Sequence, residues 1–345
     1  MPTVGIPRAL LYYQYYPMWR TFFEELGTQV VVSAPTTKGL LAAGSSHLVS
    51  ETCLPTKVFC GHVLDLYGKA DLAFVPAIRS LEQNVYNCSK FLGLPDLVQG
   101  TLRERPEVLT IDIDVNLGRG AVIHQLHKLG SRFTRNPLRI KRARDRALAV
   151  DTEYRALMVT GLTPPEAIEK MYGEREVVEG IGRSTCYSYD LRWPLRVAIV
   201  GHPYNVYDGY ITHNLLNRLR SWGLEVVVAE MASEAELAKG TERLVGKPYW
   251  TFEDEVVGAA GHYLWAGVDG VITVVSFACG PDSVMLTIVQ RAAKESGARP
   301  LLNITIDEHT GEAGLVTRLE AFVDMLGRRK YGSPRGQQAA VGERD

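Results

Sequence analysis

The feature that most constrains this fold is an alternation of short apolar runs with helical patterns, and the chain contains it twice. The first series predicts strands near residues 3–6, 29–33, 72–76 and 108–113, with helices near 9–26, 36–44 and 55–67. The second predicts strands near 196–200, 225–230, 270–276 and 301–306, with helices near 208–222, 251–265, 281–296 and 311–327. Continuous apolar strands separated by helices are typical of parallel sheets covered on both faces. The sequence therefore predicts an α/β protein with two Rossmann-like open parallel-sheet domains.

The two series set the expected domain boundaries. We expect an N-terminal domain over residues 1–115, a helical linker region over 116–192, a C-terminal domain over 193–330 and a disordered tail over 331–345. The linker contains a basic run between Arg132 and Arg146. Such a run could bind an anion or a partner, but charge runs are more often a solvated helix face, which we favour here.

Composition excludes several classes of protein. The chain has 46% hydrophobic and 22% charged residues and a net charge of −1. This rules out a disordered chain and gives no basic field for nucleic acid. No run of about 18 apolar residues predicts a membrane span, and the N-terminus lacks the pattern of a secretory signal. We therefore expect a cytoplasmic protein that binds neither nucleic acid nor membranes.

The usual nucleotide motifs are absent. The string from Gly240 to Lys247 has the wrong glycine spacing for a P-loop, and Pro248 follows it instead of Ser or Thr. Gly118 and Gly120 lack the third glycine of a dinucleotide fingerprint. The α/β pattern is thus not accompanied by a standard site for ATP or NAD.

Polar and reactive residues follow the predicted strands, at the sheet edge where open parallel sheets bind ligands. The segments in question are Pro7-Arg8, the loop that reaches Cys88, Gly201-His202-Pro203, Cys279-Gly280-Pro281-Asp282 and Asp307-Glu308-His309. Arg8 could bind a phosphate or a carboxylate with both arms of its guanidinium. Two facing edges of this kind would form a cleft between the domains, which is a usual place for a site.

The chain has five cysteines, an odd number that argues against a disulfide framework. Cys53 and Cys279 each stand two residues before a proline that opens a helical pattern. Helix N-termini favour a thiolate or an anionic cluster. With Cys88, these widely spaced cysteines suit an iron–sulfur cluster with one open position. Zinc, which favours closely spaced pairs, and simple burial of the thiols remain alternatives.

Six strings then point to a known family: GIPRALLYYQYYPMWRTFFEELG, ETCLPTKVFCGHVLDL, CSKFLGLPDLV, VGHPYNVYDGYITHNLL, SFACGPDSV and DEHTGEAGLVTRLEAFVD. Over about residues 2–327 the chain resembles the 2-hydroxyacyl-CoA dehydratase superfamily. It most resembles the stand-alone branch known as dehydratase-activase-related or CoA-protein-activase proteins, which is related to the double-cubane-cluster proteins.

The resemblance implies an oxygen-sensitive protein with a [4Fe-4S] cluster held between Rossmann-like domains. It also implies that a separate ATP-dependent activase delivers low-potential electrons. Carried onto this sequence, the cluster ligands are Cys53, Cys88 and Cys279. Cys60, two helical turns after Cys53, is a possible fourth ligand, although a buried thiol is the better interpretation. Cys186, in the linker, is expected to be structural or incidental.

Three further residues are candidates for catalysis. His202 and His309 could transfer protons near neutral pH, and Glu308 could assist His309. Each has a structural alternative, since loop histidines often bond backbone and acids often cap helices. The aromatic group of Tyr12, Tyr13, Tyr15, Tyr16 and Trp19 is expected to form core and interface rather than a substrate cage.

Two functions are consistent with these features. The first is an enzyme or enzyme component that uses electrons from the activase for radical dehydration or reduction of a small or CoA-linked substrate. The alternative is a non-catalytic [4Fe-4S] electron relay, cluster carrier or scaffold subunit that partners a larger homologue. In either case we expect a homodimer or a heterodimer with a homologue.

Overall fold

The computed structural model describes residues 1–174, 194–297 and 299–331. Its two four-stranded sheets are both parallel, and each has helices around it. This is the α/β architecture with Rossmann-like sheets that the alternating pattern predicts. The domain boundaries at residues 115 and 192 stay predictions. Cys186 and residues 332–345 of the predicted tail lie outside the described residues.

The N-terminal half contains six strands. They are β1 (Thr3–Ile6), β2 (Gln29–Val32), β3 (Leu72–Phe74), β4 (Ala77–Ser80), β5 (Glu107–Leu109) and β6 (Asp112–Asp114). The main sheet has the order β2-β1-β3-β5, and β4 pairs with β6 in a separate parallel ladder. The helices here are α1 (Tyr12–Glu25), α2 (Lys38–Ser46), α3 (Leu54–Asp65), α4 (Ser89–Leu92) and α5 (Leu94–Thr101).

The sequence predicts one strand at 108–113 and no strand at 77–80, and both expectations are wrong. The chain instead forms β5 and β6 as two short strands, which pair with β3 and β4. Pro76 stands between β3 and β4. Since proline has no N–H to donate, the ladder breaks at this point and continues as a second sheet.

The middle of the chain is helical, as predicted for the part that the structure describes. It contains α6 (Arg119–Ser131), α7 (Pro137–Val159) and α8 (Pro164–Tyr172). Helix α7 buries one face, with Ile140, Ala143, Ala147, Val150, Tyr154 and Met158 at intervals of three or four residues. Most cations of the basic run are exposed, so the run forms a solvated helix face, as favoured from sequence.

The C-terminal half repeats the plan of the N-terminal half. Its strands are β7 (Arg196–Val200), β8 (Glu225–Val228), β9 (Gly270–Ser276) and β10 (Leu301–Ile306), in the order β10-β9-β7-β8. Its helices are α9 (Pro203–Val206), α10 (Leu215–Ser221), α11 (Glu234–Val245), α12 (Val257–Tyr263), α13 (Gly280–Glu295) and α14 (Glu312–Tyr331).

Two helices of the C-terminal half are shorter than predicted. The helix predicted at 208–222 forms only as α10, because His213 and Asn214 adopt positive φ angles of 49° and 57° just before it. The helix predicted at 251–265 forms as α12, and Phe252, with φ of 71°, precedes the short 3₁₀ turn Glu253–Glu255. Both departures place irregular backbone beside the polar residues described below.

The two sheets share one topology, since the first strand of each pairs with its second strand on one side and its third on the other. Ligands bind at such switch points, beyond the carboxyl ends of the strands. One apolar core cluster includes side chains from both sheets and from α1. The hydroxyl of Tyr13, on α1, donates to the carbonyl of Tyr207 at 3.2 Å. Within the described residues, no helix is long and apolar enough to cross a bilayer.

Candidate functional site: three cysteines and a buried histidine

Three cysteines stand at helix N-termini near the carboxyl ends of the strands. Cys53 is the N-cap of α3, Cys88 the N-cap of α4 and Cys279 the N-cap of α13. All three are free and half-buried. The sequence placed Cys53 and Cys279 at helix starts, whereas Cys88, expected in a loop, begins a one-turn helix.

Local geometry explains how Cys279 reaches this edge. Strand β9 lies at the switch point beside β7 and ends at Ser276. Ala278 then adopts a left-handed conformation with φ of 61°, which an alanine seldom takes. This turn reverses the chain immediately before Cys279, and Pro281 fits the first turn of α13 because no helix hydrogen bond is required of its nitrogen.

The Cys53 thiol lies close enough to those of Cys88 and Cys279 to interact electrostatically with each. A charge on Cys53 raises the pKa of both Cys88 and Cys279, after the larger effect of burial. Among the described residues, no group of three or more His, Cys, Asp and Glu side chains is arranged to hold a metal ion. An iron–sulfur cubane attaches each thiolate to a different iron, so its ligands lie farther apart than those of one ion. The donor set of three clustered thiols therefore fits a cluster better than a single metal ion.

The protonation of these thiols differs from the sequence-based expectation. Helix N-termini were expected to favour thiolates. Instead, burial raises the pKa of both Cys88 and Cys279, although backbone N–H groups at their helix starts act in the opposite direction. Desolvation of a charged sulfur outweighs the helix N-terminus here. A positively charged iron centre would reverse this balance, because a coordinating thiol is deprotonated outright.

His202 is the predicted candidate that the fold surrounds with charge. It is the N-cap of α9, is 4% exposed and lies between two carboxylates. Its Nδ1 is 2.7 Å from Glu255 Oε2, and its Nε2 is 3.2 Å from Asp282 Oδ1. Burial alone would lower the pKa of His202, but Asp282 and Glu255 outweigh it and raise that pKa to about 10. His202 is therefore an imidazolium at neutral pH.

Asp282 connects this histidine to the cysteine site. The backbone N–H of Ser276 donates to its Oδ2 at 3.0 Å, and the thiol of Cys279 also hydrogen-bonds to it. Burial would raise the pKa of Asp282, but contacts with His202 lower it below its usual value. Asp282 is thus the bridge between Cys279 and His202.

Glu308 and His309, the other predicted catalytic residues, make different hydrogen-bond contacts. Glu308 forms an ion pair with Lys57, whose Nζ donates to Glu308 Oε1 at 2.5 Å. Lys57 Nζ also donates to the Ser50 carbonyl at 2.9 Å. The Lys57 side chain is only 3% exposed, so this pair ties α3 to the loop after β10. His309 is exposed, and its backbone N–H donates to Asp307 at 2.9 Å. The described contacts of the His202 ring are with Glu255, Asp282 and Tyr204.

Cys60 lies deeper in the same helix as Cys53. It is fully buried in the apolar core, and burial raises its pKa to about 12. Seven residues of α-helix correspond to about 10 Å along the axis. The structure therefore gives Cys60 the surroundings of a core thiol.

Arg8, predicted as an anion-binding residue, makes two hydrogen bonds to Ser33. Its backbone N–H donates to Ser33 Oγ at 2.8 Å, and its Nε donates to the Ser33 carbonyl at 3.3 Å.

Sequence reasoning missed two residues of this region. Lys57 had a readable signal, because it interrupts an otherwise apolar helix in the string LPTKVFCGHV. Glu255 had none, since an acidic residue in the run Glu253-Asp254-Glu255 resembles any exposed turn. Only the approach of that turn to α9 gives Glu255 its contact with His202.

The comparisons with known proteins are sparse outside one family. No curated protein matches the chain. A crystal structure of glucosamine-6-phosphate deaminase from Thermotoga maritima aligns with 96% of this chain and 85% of its own, at 12% identity and a TM-score of 0.20. That overlap is too weak to carry an argument. Residues 3–232 match a family model, and the chain therefore belongs to the family described as the CoA enzyme activase uncharacterised domain (DUF2229).

Proposed function

We propose that this chain is an iron–sulfur protein of the 2-hydroxyacyl-CoA dehydratase type, with a [4Fe-4S] cluster held by Cys53, Cys88 and Cys279. The observation that carries the proposal is the gathering of three free cysteines, distant in sequence, at three helix N-termini. Two come from the N-terminal half and one from the C-terminal half. Three thiolates would leave one iron open to a substrate oxygen.

The residues around the cysteines have defined tasks in this proposal. The cluster, when bound, supplies a one-electron redox centre. His202, with both ring nitrogens held by Glu255 and Asp282, supplies a fixed positive charge beside Cys279. Asp282 orients His202, and its hydrogen bond from the Cys279 thiol belongs to the chain without a cluster, since a coordinating thiol is deprotonated. Lys57 and Glu308 hold α3, and so Cys53, against the C-terminal half.

An ATP-dependent activase is the proposed electron donor. The family description names a CoA enzyme activase, and the sequence resembles proteins that act with one. The proposed reaction is radical dehydration or reduction of a small or CoA-linked substrate. A fourth protein ligand, Cys60, would favour the non-catalytic relay, carrier or scaffold subunit, and the burial of Cys60 in the core disfavours that ligand.

Anaerobic reconstitution with iron and sulfide tests the cluster. We expect about four irons and four sulfides per chain and the absorption and electron paramagnetic resonance of a [4Fe-4S] centre. Cys53→Ala, Cys88→Ala and Cys279→Ala should each lose most of the iron. Cys186→Ala should retain it, which makes this variant the matched control.

The proposal fails if the reconstituted wild-type chain remains colourless and free of iron. It also fails if any two of the three variants keep a full cluster. Circular dichroism of each variant separates loss of ligation from loss of fold, because each cysteine is only half-buried and its replacement by alanine should leave the helices intact.

A further inference from the structure

Tyr204 is a buried tyrosine whose hydroxyl has no hydrogen-bond partner among the described residues. It lies in the short helix α9, two residues after His202, and it is 9% exposed. Its oxygen is not sealed within the protein, because it does not belong to the unpartnered polar atoms that have lost contact with solvent. A ligand can therefore reach this hydroxyl without displacing a protein partner.

The other buried tyrosines show that this is unusual for the fold. Tyrosine hydroxyls usually find a hydrogen-bond partner when they are buried. Five of them here donate to a carbonyl or a carboxylate oxygen, and these are Tyr13, Tyr16, Tyr154, Tyr207 and Tyr263. The different state of Tyr204 calls for an explanation, and a place in a ligand site is one.

The ring of Tyr204 fixes the hydroxyl beside the cysteines. It stacks on the His202 ring, with centroids 5.0 Å apart and planes 20° apart. Its centroid lies 6.3 Å from that of Phe91, which follows Cys88 by three residues on α4. Tyr204 therefore lies between the charged histidine of the site and the helix that begins at Cys88.

The charges that act on the hydroxyl come from the same place. Burial raises the pKa of Tyr204 well above its usual value, and the next contributions come from the charges of Asp282, Cys279, Glu255 and Cys88. These groups include thiols from both halves of the molecule. The hydroxyl is thus protonated at physiological pH, and it is a donor within electrostatic reach of the cysteines.

From these observations we propose that the Tyr204 hydroxyl donates a hydrogen bond to a carbonyl or carboxylate oxygen of a small molecule bound at the three cysteines. The inference rests on the proposed function, since that molecule is its substrate. His202 cannot be this donor, because Glu255 and Asp282 hold both of its ring nitrogens. A donor that is fixed in advance beside an oxygen stabilises negative charge that develops there during a reaction.

The test uses the anaerobically reconstituted full chain, with iron and sulfide measured on every sample. The probe is propionate, whose carboxylate accepts hydrogen bonds. Its matched controls are 1-aminopropane, which has the same carbon chain and the opposite charge, and sodium chloride at the same ionic strength. Calorimetry should show saturable binding of propionate at one site and none of either control.

Tyr204→Phe keeps the ring and removes only the hydroxyl. It should weaken propionate binding by about tenfold, the effect of one hydrogen bond to a charged group. Iron content and unfolding temperature should stay at their wild-type values, because the hydroxyl has no protein partner to lose. Tyr67→Phe is the matched control and should bind as the wild type does, since Tyr67 is 58% exposed and lies at the opposite end of α3 from Cys53.

A second tyrosine variant tests the structural premise. Tyr263→Phe removes a hydroxyl that donates to the Val228 carbonyl at 2.6 Å, so it should lower the unfolding temperature by a few degrees. An equal fall for Tyr204→Phe would show that its hydroxyl has a protein partner, and would overturn the inference.

The binding results separate this inference from the proposed cluster. Equal propionate affinity of the wild type and Tyr204→Phe overturns the inference, and full iron content in both samples then leaves the cluster standing. Binding that depends on Tyr204 in a sample without iron supports the inference and contradicts the cluster. Absence of saturable binding by the wild type overturns the inference at any iron content.

Discussion

His62 and His202 are both almost completely buried, yet their surroundings give them opposite charges. His62 is 0% exposed and His202 is 4% exposed. Burial, together with a smaller contribution from the charge of Arg8, lowers the pKa of His62 to about 3. Burial also lowers the pKa of His202, but Asp282 and Glu255 outweigh it and raise that pKa to about 10. The chemistry of the partners, rather than the degree of burial, decides whether a buried histidine carries charge.

The partners of His62 are the hydroxyl groups of Ser33 and Thr36. Their other hydrogen bonds fix which ring nitrogen of His62 donates and which accepts. The Arg8 backbone N–H donates to Ser33 Oγ at 2.8 Å, and Ser33 Oγ lies 2.8 Å from His62 Nδ1. His62 Nε2 lies 2.9 Å from Thr36 Oγ1, which donates to Asp208 at 2.5 Å. Since the Thr36 hydroxyl donates its hydrogen bond to Asp208, its oxygen accepts one from His62 Nε2–H. A neutral imidazole with a bare Nδ1 satisfies the whole series.

The largest expected effect comes from a substitution beside His202, the charged one of the two buried histidines. Asp282→Asn removes one of the two carboxylates that stabilise the buried His202 cation, so that only Glu255 remains to do so. We expect a loss of about 3–5 kcal/mol of unfolding free energy at pH 7. We also expect a large fall in the pKa of His202. Urea unfolding and a histidine NMR titration measure the two quantities.

The matched control is Asp145→Asn, since Asp145 is exposed on α7. It should change stability by less than about 0.5 kcal/mol. If Asp282→Asn unfolds at the same urea concentration as the control, the buried charge cluster does not stabilise the fold as inferred.

The next effect is a pH dependence with two limbs. The folded pKa of His202, about 10, is above its unfolded value of 6.5, so its stabilisation is complete below pH 6.5 and is lost as pH rises toward 10. The folded pKa of His62, about 3, is below 6.5, so stability falls as pH decreases from 6.5 toward 3. Each contributes a slope of about 1.4 kcal/mol per pH unit.

Unfolding free energies from pH 5 to pH 9 measure these limbs. His62→Gln should flatten the acid limb by that slope and leave the alkaline limb unchanged. An NMR titration in which His62 gains a proton near pH 6.5, or His202 loses one there, would remove the contrast between the two sites.

The smallest effect concerns the neutral site. Thr36→Val keeps the shape of the side chain but leaves His62 Nε2–H and Asp208 Oδ2 without their hydroxyl partner, while Asp208 Oδ1 keeps the backbone N–H groups of Tyr210 and Ile211. We expect a loss of about 1–3 kcal/mol, less than for Asp282, because one of the two unpaired groups is uncharged. Thr317→Val, an exposed position, should change stability by less than about 0.5 kcal/mol. Equal stability of the two threonine variants in urea would show that the hydroxyl series contributes nothing.

Much of the fold could be predicted because it depends on local pattern. Apolar runs such as Val197–Val200 and Val271–Val275 identified the central strands, since both faces of a parallel strand are buried. The failures have local causes that periodicity does not report. Pro76 separates β3 from β4, and the positive φ angles of His213 and Asn214 make α10 begin later than the pattern predicts.

The candidate site was predicted in its residues but not in its contacts. The strand ends identified Cys279 and His202, and the proline spacing identified Cys53. The partners of His202 could not be found in this way, because Glu255 lies 53 residues away along the chain. The protonation of Cys88 and Cys279 was missed for a related reason, since the degree of burial is set by both halves of the molecule.

The sequence by itself therefore determined the parallel sheets, the helix starts at Cys53 and Cys279 and the set of reactive residues at the strand ends. These follow from propensities and periodicities that act over a few residues. Only the tertiary structure decided which of those residues meet and that His202 is charged while His62 is neutral. These properties depend on desolvation and on charges within a few ångströms, and such neighbours are brought together by packing rather than by position in the chain.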